Sequence, residues 1–454
     1  MADQPVVQVS RLLDERGLSS FQIKLMIWSI LIALIDGYDI AGIAFAAPRL
    51  IAEWHVAPKE LGLVLSASNI GVLFGSQIFG WIGDRYGRKP ALIAANILFG
   101  VLTYWAAYST NLTELSWLRF FAGLGIGGVI PNVVAINTES APRHLRATLA
   151  IIAVGTVPVG GALAGFVSAA LVPTHGWQII FIIGGILPIV IALAAIFGLP
   201  ESIKHMALHE SQRGKLEKTI AEIRPDFVVP ANARFIIEDE KQAPSNPVYL
   251  FRDGLAVITP LTWLMFALNL MGYFFLISWT PTLMAAAKLP PTTGALAGAA
   301  LQVGGTVGAL LLCWWVQRRR FLAIAILFVV AVPVVGAIGF AAGLSSTAIL
   351  LSVTFLAGAV VLGIQSGINV VGAMIYPTSL RANGSGWQLG IGRLGAIIGP
   401  LLGALFVGLP VSQLYIWSAL PFAVGAVVCF IIYRLNAARM RERPWLQENA
   451  VPAE

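Results

Sequence analysis

The chain has 454 residues, 57% hydrophobic and 11% charged, with a mean hydropathy of +0.82 and a formal net charge of +7. A soluble domain carries about 25% charged residues, so this composition excludes a soluble globular protein. The two cysteines, Cys313 and Cys429, lie in apolar stretches, make no disulfide framework and read as small packing hydrophobes.

The first twenty residues, MADQPVVQVSRLLDERGLSS, lack the apolar core of a signal peptide, so the N-terminus is expected inside. A spanning helix needs about 20 mostly apolar residues. Twelve stretches qualify as spans 1 to 12: 22–47, 61–83, 90–109, 112–138, 146–171, 177–199, 256–287, 293–316, 320–342, 347–375, 383–408 and 412–434. The expected fold is an all-α membrane protein with two pseudo-symmetric six-helix bundles, 1–199 and 254–454, the latter including a cytoplasmic tail. A polar cytoplasmic linker, 200–253, joins them, and its PESIKHMALHESQRGKLEKTIAEI has an amphipathic helical pattern.

Charge supports this map. With the N-terminus inside, the 29 Lys and Arg all fall in cytoplasmic segments except Arg49, Lys59 and Lys288, outside, and Arg119 and Arg393, within spans. Both termini are then cytoplasmic, the basic balance is topological, and no nucleic-acid partner is needed. An internal repeat supports the six-plus-six division. P-R-H-L-R-A at 142–147 recurs as P-T-S-L-R-A at 377–382, and at the same offset Gly128, Gly155 and Gly160 match Gly363, Gly390 and Gly395. Such repeats place a binding site between the bundles near the membrane midplane.

Span 1 carries Asp36-Gly37-Tyr38-Asp39, two acids on one helix face. An ionisable group in the hydrocarbon costs roughly 2.5–3.5 kcal/mol on insertion scales and marks an ion or substrate path. Asp36 and Asp39 are the expected proton carriers. Arg119, about seven residues into span 4, has a depth near that of Asp36 and is expected to pair with it. The loop after span 2 reads G-D-R-Y-G-R-K, with Asp84, Arg85 and Arg88 as gating candidates; its counterpart after span 8, W-V-Q-R-R-R, keeps only the cations. Glu139, at the end of span 4, is expected to form a gate ion pair with Arg143 and Arg146.

Residues 254–441 contain no Asp, Glu or His. Arg393, near the middle of span 11, therefore has no acid in its own half and must meet an acid of the first half, a backbone carbonyl or an anionic substrate. A planar guanidinium suits a carboxylate. Asn269, Tyr273, Gln365, Asn369, Trp387, Gln388 and Tyr38 are candidates to surround a flat ligand, through amide hydrogen bonds and aromatic faces. The histidines at 55, 144, 175, 205 and 209 are scattered; His205 and His209 read as a solvated helical face. No metal-ligand cluster, nucleophile motif or phosphate loop occurs, so neither an enzyme nor a cofactor is expected.

D-G-Y-D in span 1, G-D-R-Y-G-R-K, R-F-F-A-G-L-G-I-G-G-V-I-P-N in span 4, L-P-E-S after span 6 and G-W-x-x-G-x-G-R-x-G in span 11 resemble the aromatic acid:proton symporter family of the major facilitator superfamily. The resemblance covers nearly the whole chain. It implies alternating access by a monomer in the lipid bilayer of a bacterial inner membrane, with an aromatic carboxylate such as 4-hydroxybenzoate, protocatechuate or benzoate and at least one proton as partners. It carries functional roles onto Asp36, Asp39, Asp84, Arg119 and Arg393, and makes the signature loop a cytoplasmic latch between bundles. The lack of histidine in the second half departs from some relatives and excludes a coupling scheme that needs one there. Carriers of another organic anion, such as muconate, nicotinate or a sugar acid, are the alternative.

Overall fold

A computed structural model describes residues 6–442 except 16, 228, 231–232, 237–245, 320, 345 and 378–379. Twelve helical segments are long and apolar enough to cross a membrane: Ser20–Trp54, Pro58–Tyr86, Arg88–Ala106, Leu112–Ser140, Arg143–His175, Gln178–Gly198, Ile258–Ala286, Pro291–Leu312, Phe321–Ala341, Thr347–Gly372, Asn383–Phe406 and Val411–Arg441. They correspond one to one with the expected spans and keep those numbers. Span 1 runs further than its hydropathy suggests. Span 5 breaks between helices Arg146–Val154 and Val157–His175, and span 12 between Val411–Ser418 and the helix starting at Leu420. In the second repeat copy, Thr378 and Ser379 lie outside the described residues, as do Arg320 of the second loop and the side chains of Cys313 and Ala382.

The helix starts follow from local polar residues. Ser19 and Gln22 form a capping box on span 1. Asn111 caps span 4 by accepting from Glu114 N at 2.8 Å, and Ser346 caps span 10 by accepting from Ile349 N. These two caps stand at the repeat offset from each other. The matched glycines also do matched work. A Cβ on Gly160 would strike the Leu34 carbonyl, joining span 5 to span 1; one on Gly395 would strike the Ala267 carbonyl, joining span 11 to span 7. Gly128 likewise admits Phe79 of span 2 onto span 4, and Gly363 admits Leu312 of span 8 onto span 10. Small residues thus let equivalent helix pairs approach closely in each bundle.

The face carrying the linker and the opposite, far face differ. The bundles meet in a seam on the far side, where Ser66 Oγ and Asn69 Nδ2 of span 2 donate to the carbonyls of Ile397 and Ala396 of span 11, at 2.9 and 3.2 Å. Spans 5 and 8 close it further, with Gly165 against Ala295 and Ala299. Among the described residues these two bonds are the hydrogen bonds between the bundles. Toward the linker face Leu389, one turn from Arg393, is 50% exposed and Asn369 is exposed. The hydrogen bonds between the bundles among the described residues thus lie on the far side.

The linker is split between the bundles. Helices Ile203–Leu208 and Arg213–Ile223 bury Ile203, Met206, Leu216, Ile220 and Ile223 against Val9, Leu13 and Phe21. Strand β1 (Val6–Gln8) pairs in parallel with β2 (Arg234–Ile236), and Arg224 bonds Glu15 at 2.9 Å, which tie this layer to the first bundle's N-terminal segment. The segment Pro247–Phe251 instead belongs to the second bundle: Leu250 is buried there, and Phe251 packs edge-on against Trp263.

Candidate functional site

The first bundle contributes a buried ion pair and an unpaired acid. Arg119 donates from Nη2 to Asp39 Oδ2 at 2.8 Å and from Nη1 to Asp39 Oδ1 at 3.1 Å, with side-chain exposures of 0% and 1%. Thr103 of span 3 donates to Asp39 Oδ1 at 2.8 Å, and Arg119 also reaches the Asp39 carbonyl at 3.2 Å. The expected Asp36–Arg119 pair is thus replaced by Asp39–Arg119. Span 1 continues to Trp54, so depth counted from its expected end misplaces the acids, and counting cannot supply the rotation of one helix about another.

Asp36 is 0% exposed, and neither carboxylate oxygen has a hydrogen-bond partner. Such burial is costly for an ionised carboxylate without a partner. After burial itself, the like charge of Asp39 on the same helix acts on it, and then the opposite charge of Arg393 in the other bundle; Asp36 is the acid that acts on Arg393. Arg393 is half-buried, on the helix face shared with Leu389 and Ile397, four residues to either side. Because the Ile397 carbonyl is bonded by span 2, that face looks toward the first bundle.

Spans 7, 8 and 10 of the second bundle carry two pairs of hydrogen-bonded polar side chains. Asn269 Nδ2 donates to Gln365 Oε1 at 2.7 Å, and the Tyr273 hydroxyl donates to Gln302 Oε1 at 3.0 Å. Asn369 lies one turn beyond Gln365 toward the linker face. Gln302 was not among the sequence candidates; its signal is a lone amide in the apolar run Ala-Ala-Leu-Gln-Val of span 8.

Three other candidates lie away from this set. Tyr38 is buried inside the first bundle, its hydroxyl donating to the Ile180 carbonyl at 3.4 Å. Gln388 is 2% exposed and wedged between spans 10 and 11, where Nε2 donates to the Ile368 carbonyl at 3.5 Å. Trp387 stacks on Trp263 at 6.0 Å and shares a helix face with exposed Leu394, Ile398 and Leu405, away from the first bundle. Helical phase decides these cases: at about 100° per residue Tyr38 points about 100° from Asp39, and Gln388 and Trp387 about 140° and about 120° from Arg393. Trp279 is fully buried, with Nε1 donating to the Pro400 carbonyl at 3.0 Å. Cys429 is buried as expected.

The signature loop forms its own network at the linker face. Arg88 pairs with Asp84 at 2.6 Å and with Glu139 at 2.8 Å. Glu139 also accepts from the Ser202 hydroxyl. The expected partners Arg143 and Arg146 are drawn off elsewhere, Arg143 to Asp14 at 3.3 Å and Arg146 Nε to the Ala141 carbonyl at 3.3 Å. Arg85 is exposed and lies over the Trp81 and Tyr86 rings. Among the described residues, the ion-pair partners of this loop lie in the first bundle, so the expected latch between bundles is not engaged.

Glu201, a residue that only the L-P-E-S string flagged, caps span 3: Oε1 accepts from Arg88 N at 2.9 Å and Lys89 N at 3.2 Å. An anion at a helix N-terminus is favourable. Burial nevertheless holds its carboxyl above the ordinary range, partly offset by those N–H donors and that of Ser202. His205 is 7% exposed rather than solvated, because its helix docks on the signature loop. A Cβ on Gly87, whose φ is +110°, would collide with Glu201 Oε2 and crowd His205 Nε2. Burial and then the His209 ring, 4.1 Å away, hold the His205 imidazole below its usual range.

Residues 29–400 match the Major Facilitator Superfamily. The chain is 34% identical over 408 residues to the 4-hydroxybenzoate transporter PcaK of Pseudomonas putida, covering 89% of this chain and 90% of that one. It is 31% identical to the gallate transporter of Pseudomonas putida, covering 97% and 98%. It is also 31% identical to the benzoate transport protein of Acinetobacter baylyi, covering 94% and 92%. Among solved structures, the inward open xylose transporter XylE from E. coli superposes with a TM-score of 0.69 at 17% identity, over 91% of this chain and 96% of that one; at this identity it speaks to the fold alone. Family match, coverage and fold agree: the chain belongs to the major facilitator superfamily and, within it, to the family of aromatic acid transporters.

Proposed function

We propose that this protein imports an aromatic carboxylate together with at least one proton, by alternating access, across a bacterial inner membrane with the linker face in the cytoplasm. The relatives' substrates, 4-hydroxybenzoate, gallate and benzoate, support the substrate class. The excess of Lys and Arg at the linker face supports the orientation. The observation that carries the coupling is the pair of opposed charges across the interface: Asp36, buried with both oxygens unpartnered, and Arg393, its electrostatic partner in a bundle whose span residues include no acid.

The chemistry follows from one cation facing two possible anions. Without substrate, Arg393 offsets the charge of Asp36. A substrate carboxylate that takes the guanidinium, bidentate and planar, leaves Asp36 as a buried anion without a counter-charge, and a proton then neutralises it. Substrate and proton thus board together. Where protons are scarce, Asp36 loses its proton and reclaims Arg393, and the substrate leaves. Asn269, Tyr273, Gln302, Gln365 and Asn369 supply the polar surroundings of the ring. Asp39 and Arg119 form the rigid pair that holds spans 1, 3 and 4 together around this site.

The test is uptake of labelled 4-hydroxybenzoate into proteoliposomes under an inward proton gradient, with Asp36→Asn as the control for passive weak-acid diffusion. Accumulation by the wild type alone is expected. Equal accumulation by both proteins refutes the role of Asp36. No uptake above the control, with displacement by muconate or nicotinate in a competition panel, moves the substrate to another organic anion.

A further inference from the structure

Spans 5 and 8 pack against each other across the bundles. A Cβ on Gly165 would crowd Ala299 Cβ and the Ala295 carbonyl at 2.8 and 3.0 Å, and one on Gly298 would meet the Phe45 ring at 2.6 Å. Gln302 lies one turn from Gly298 and is 4% exposed. Its two amide ends have different attachments. A Cβ on Gly161, in the opposite bundle, would collide with Gln302 Nε2, so the amide is seated on a bare Cα. Oε1 accepts the hydrogen bond of Tyr273, at 3.0 Å, from its own bundle. A free glutamine samples many rotamers; the Tyr273 bond fixes one of them, the one that reaches across the seam.

We propose that Gln302 is a positioning residue of the far gate: the Tyr273 hydroxyl holds its carboxamide on Gly161, and this latch releases before span 8 parts from span 5. Tyr273 has one hydroxyl proton to donate. A substrate oxygen that accepts it leaves Gln302 unheld, which connects occupancy of the site to the gate. The latch rests on the alternating-access reading above but not on which acid is carried.

The test follows opening of the seam without substrate. In a Cys313→Ser, Cys429→Ser background, Ser66→Cys places a thiol at a seam position with 0% exposure. Its rate of reaction with a membrane-impermeant maleimide, in detergent, reports opening. Tyr273→Phe and Gln302→Leu are each expected to raise that rate about threefold to tenfold, the fold-change of one lost neutral hydrogen bond. The double variant should label no faster than the faster single one, because Tyr273 acts through Gln302. Gly161→Ala, in the other bundle, should also raise the rate, and it reports on the same contact should either second-bundle variant fail to fold. A residue of purely structural importance lowers the yield of folded protein and leaves the labelling rate of what folds unchanged. Unchanged rates, or additive effects of Tyr273→Phe and Gln302→Leu, overturn the proposal. Failure of 4-hydroxybenzoate uptake would leave these rates as they are, so the two readings fail separately.

Discussion

Arg119 and Asp39 share two nearly parallel hydrogen bonds, 2.8 and 3.1 Å long, in a site closed to solvent. Breaking a buried pair by removing one partner strands the other charge and costs about 3–5 kcal/mol. Asp39→Ala is therefore expected to lower the thermal unfolding midpoint of the detergent-solubilised protein sharply, whereas Asp36→Asn, which removes an unpartnered carboxylate, leaves it unchanged or higher. Equal losses for both would mean that the two aspartates share one structural role.

Arg393→Lys retains the charge and discards the planar fork. Loss of a charge-assisted bond, about 1.5–3 kcal/mol, corresponds to a roughly tenfold to hundredfold weaker affinity for the carboxylate. Equilibrium binding of labelled 4-hydroxybenzoate to purified protein should show this, with an unfolding midpoint close to that of the wild type. Wild-type affinity in the lysine variant would place the carboxylate elsewhere.

His205 is held below its usual range by burial and by His209, so the folded form favours the neutral ring. Below the ordinary value of 6.5 the unfolded chain binds more protons than the folded one, and stability falls as pH falls through that region. Glu201, raised by burial, acts in the opposite direction at lower pH, from its ordinary 4.5 upward. Their separation comes from comparing variants: the drop in unfolding midpoint between pH 7.5 and 5.5 should be smaller in His205→Asn than in the wild type. An identical drop in both would exclude His205 as its source.

The repeat-related glycines make a paired prediction. Gly160→Val and Gly395→Val each drive a side chain into a neighbouring backbone carbonyl and should each destabilise by about 1–3 kcal/mol or more. Gly390, with nothing within 4 Å of an added Cβ, should accept alanine at almost no cost. Thermal unfolding of the three variants decides the matter; tolerance of valine at Gly395 would mean that spans 7 and 11 can separate freely.

The spans, the linker helices and the repeat were legible in the sequence because each depends on composition or spacing along one chain. The repeat even located the close helix contacts of Gly160 and Gly395. The charged groups Asp36, Asp39, Arg119 and Arg393 were also legible, since charge in an apolar run is conspicuous. Their partnerships were not. Whether Arg119 meets Asp36 or Asp39 depends on a rotation of about 60° about span 1. The same phase question separates Trp387, on the outer side of span 11, from Arg393, on its inner side. Glu139 meets Arg88 instead of its sequence neighbours Arg143 and Arg146 because span 3 begins beside the end of span 4. Gln302 was passed over because a single neutral amide in an apolar helix is a faint signal until its two ends are seen attached to different bundles.

The opposition of Asp36 and Arg393 also determines how the membrane potential acts on the carrier. Empty, the two side chains sum to zero. Loaded with one carboxylate anion and one proton they sum to zero again, and Asp39 with Arg119 cancels throughout. A unit with no net charge does no electrical work as it reorients, whereas one elementary charge is worth about 2.3 kcal/mol per 100 mV. A one-proton cycle is thus electroneutral: a potassium diffusion potential imposed at equal pH leaves uptake flat, and a pH difference alone drives it. Uptake that responds to voltage would mean that a second proton travels with each substrate, and that the protein draws on the electrical as well as the chemical part of the proton gradient.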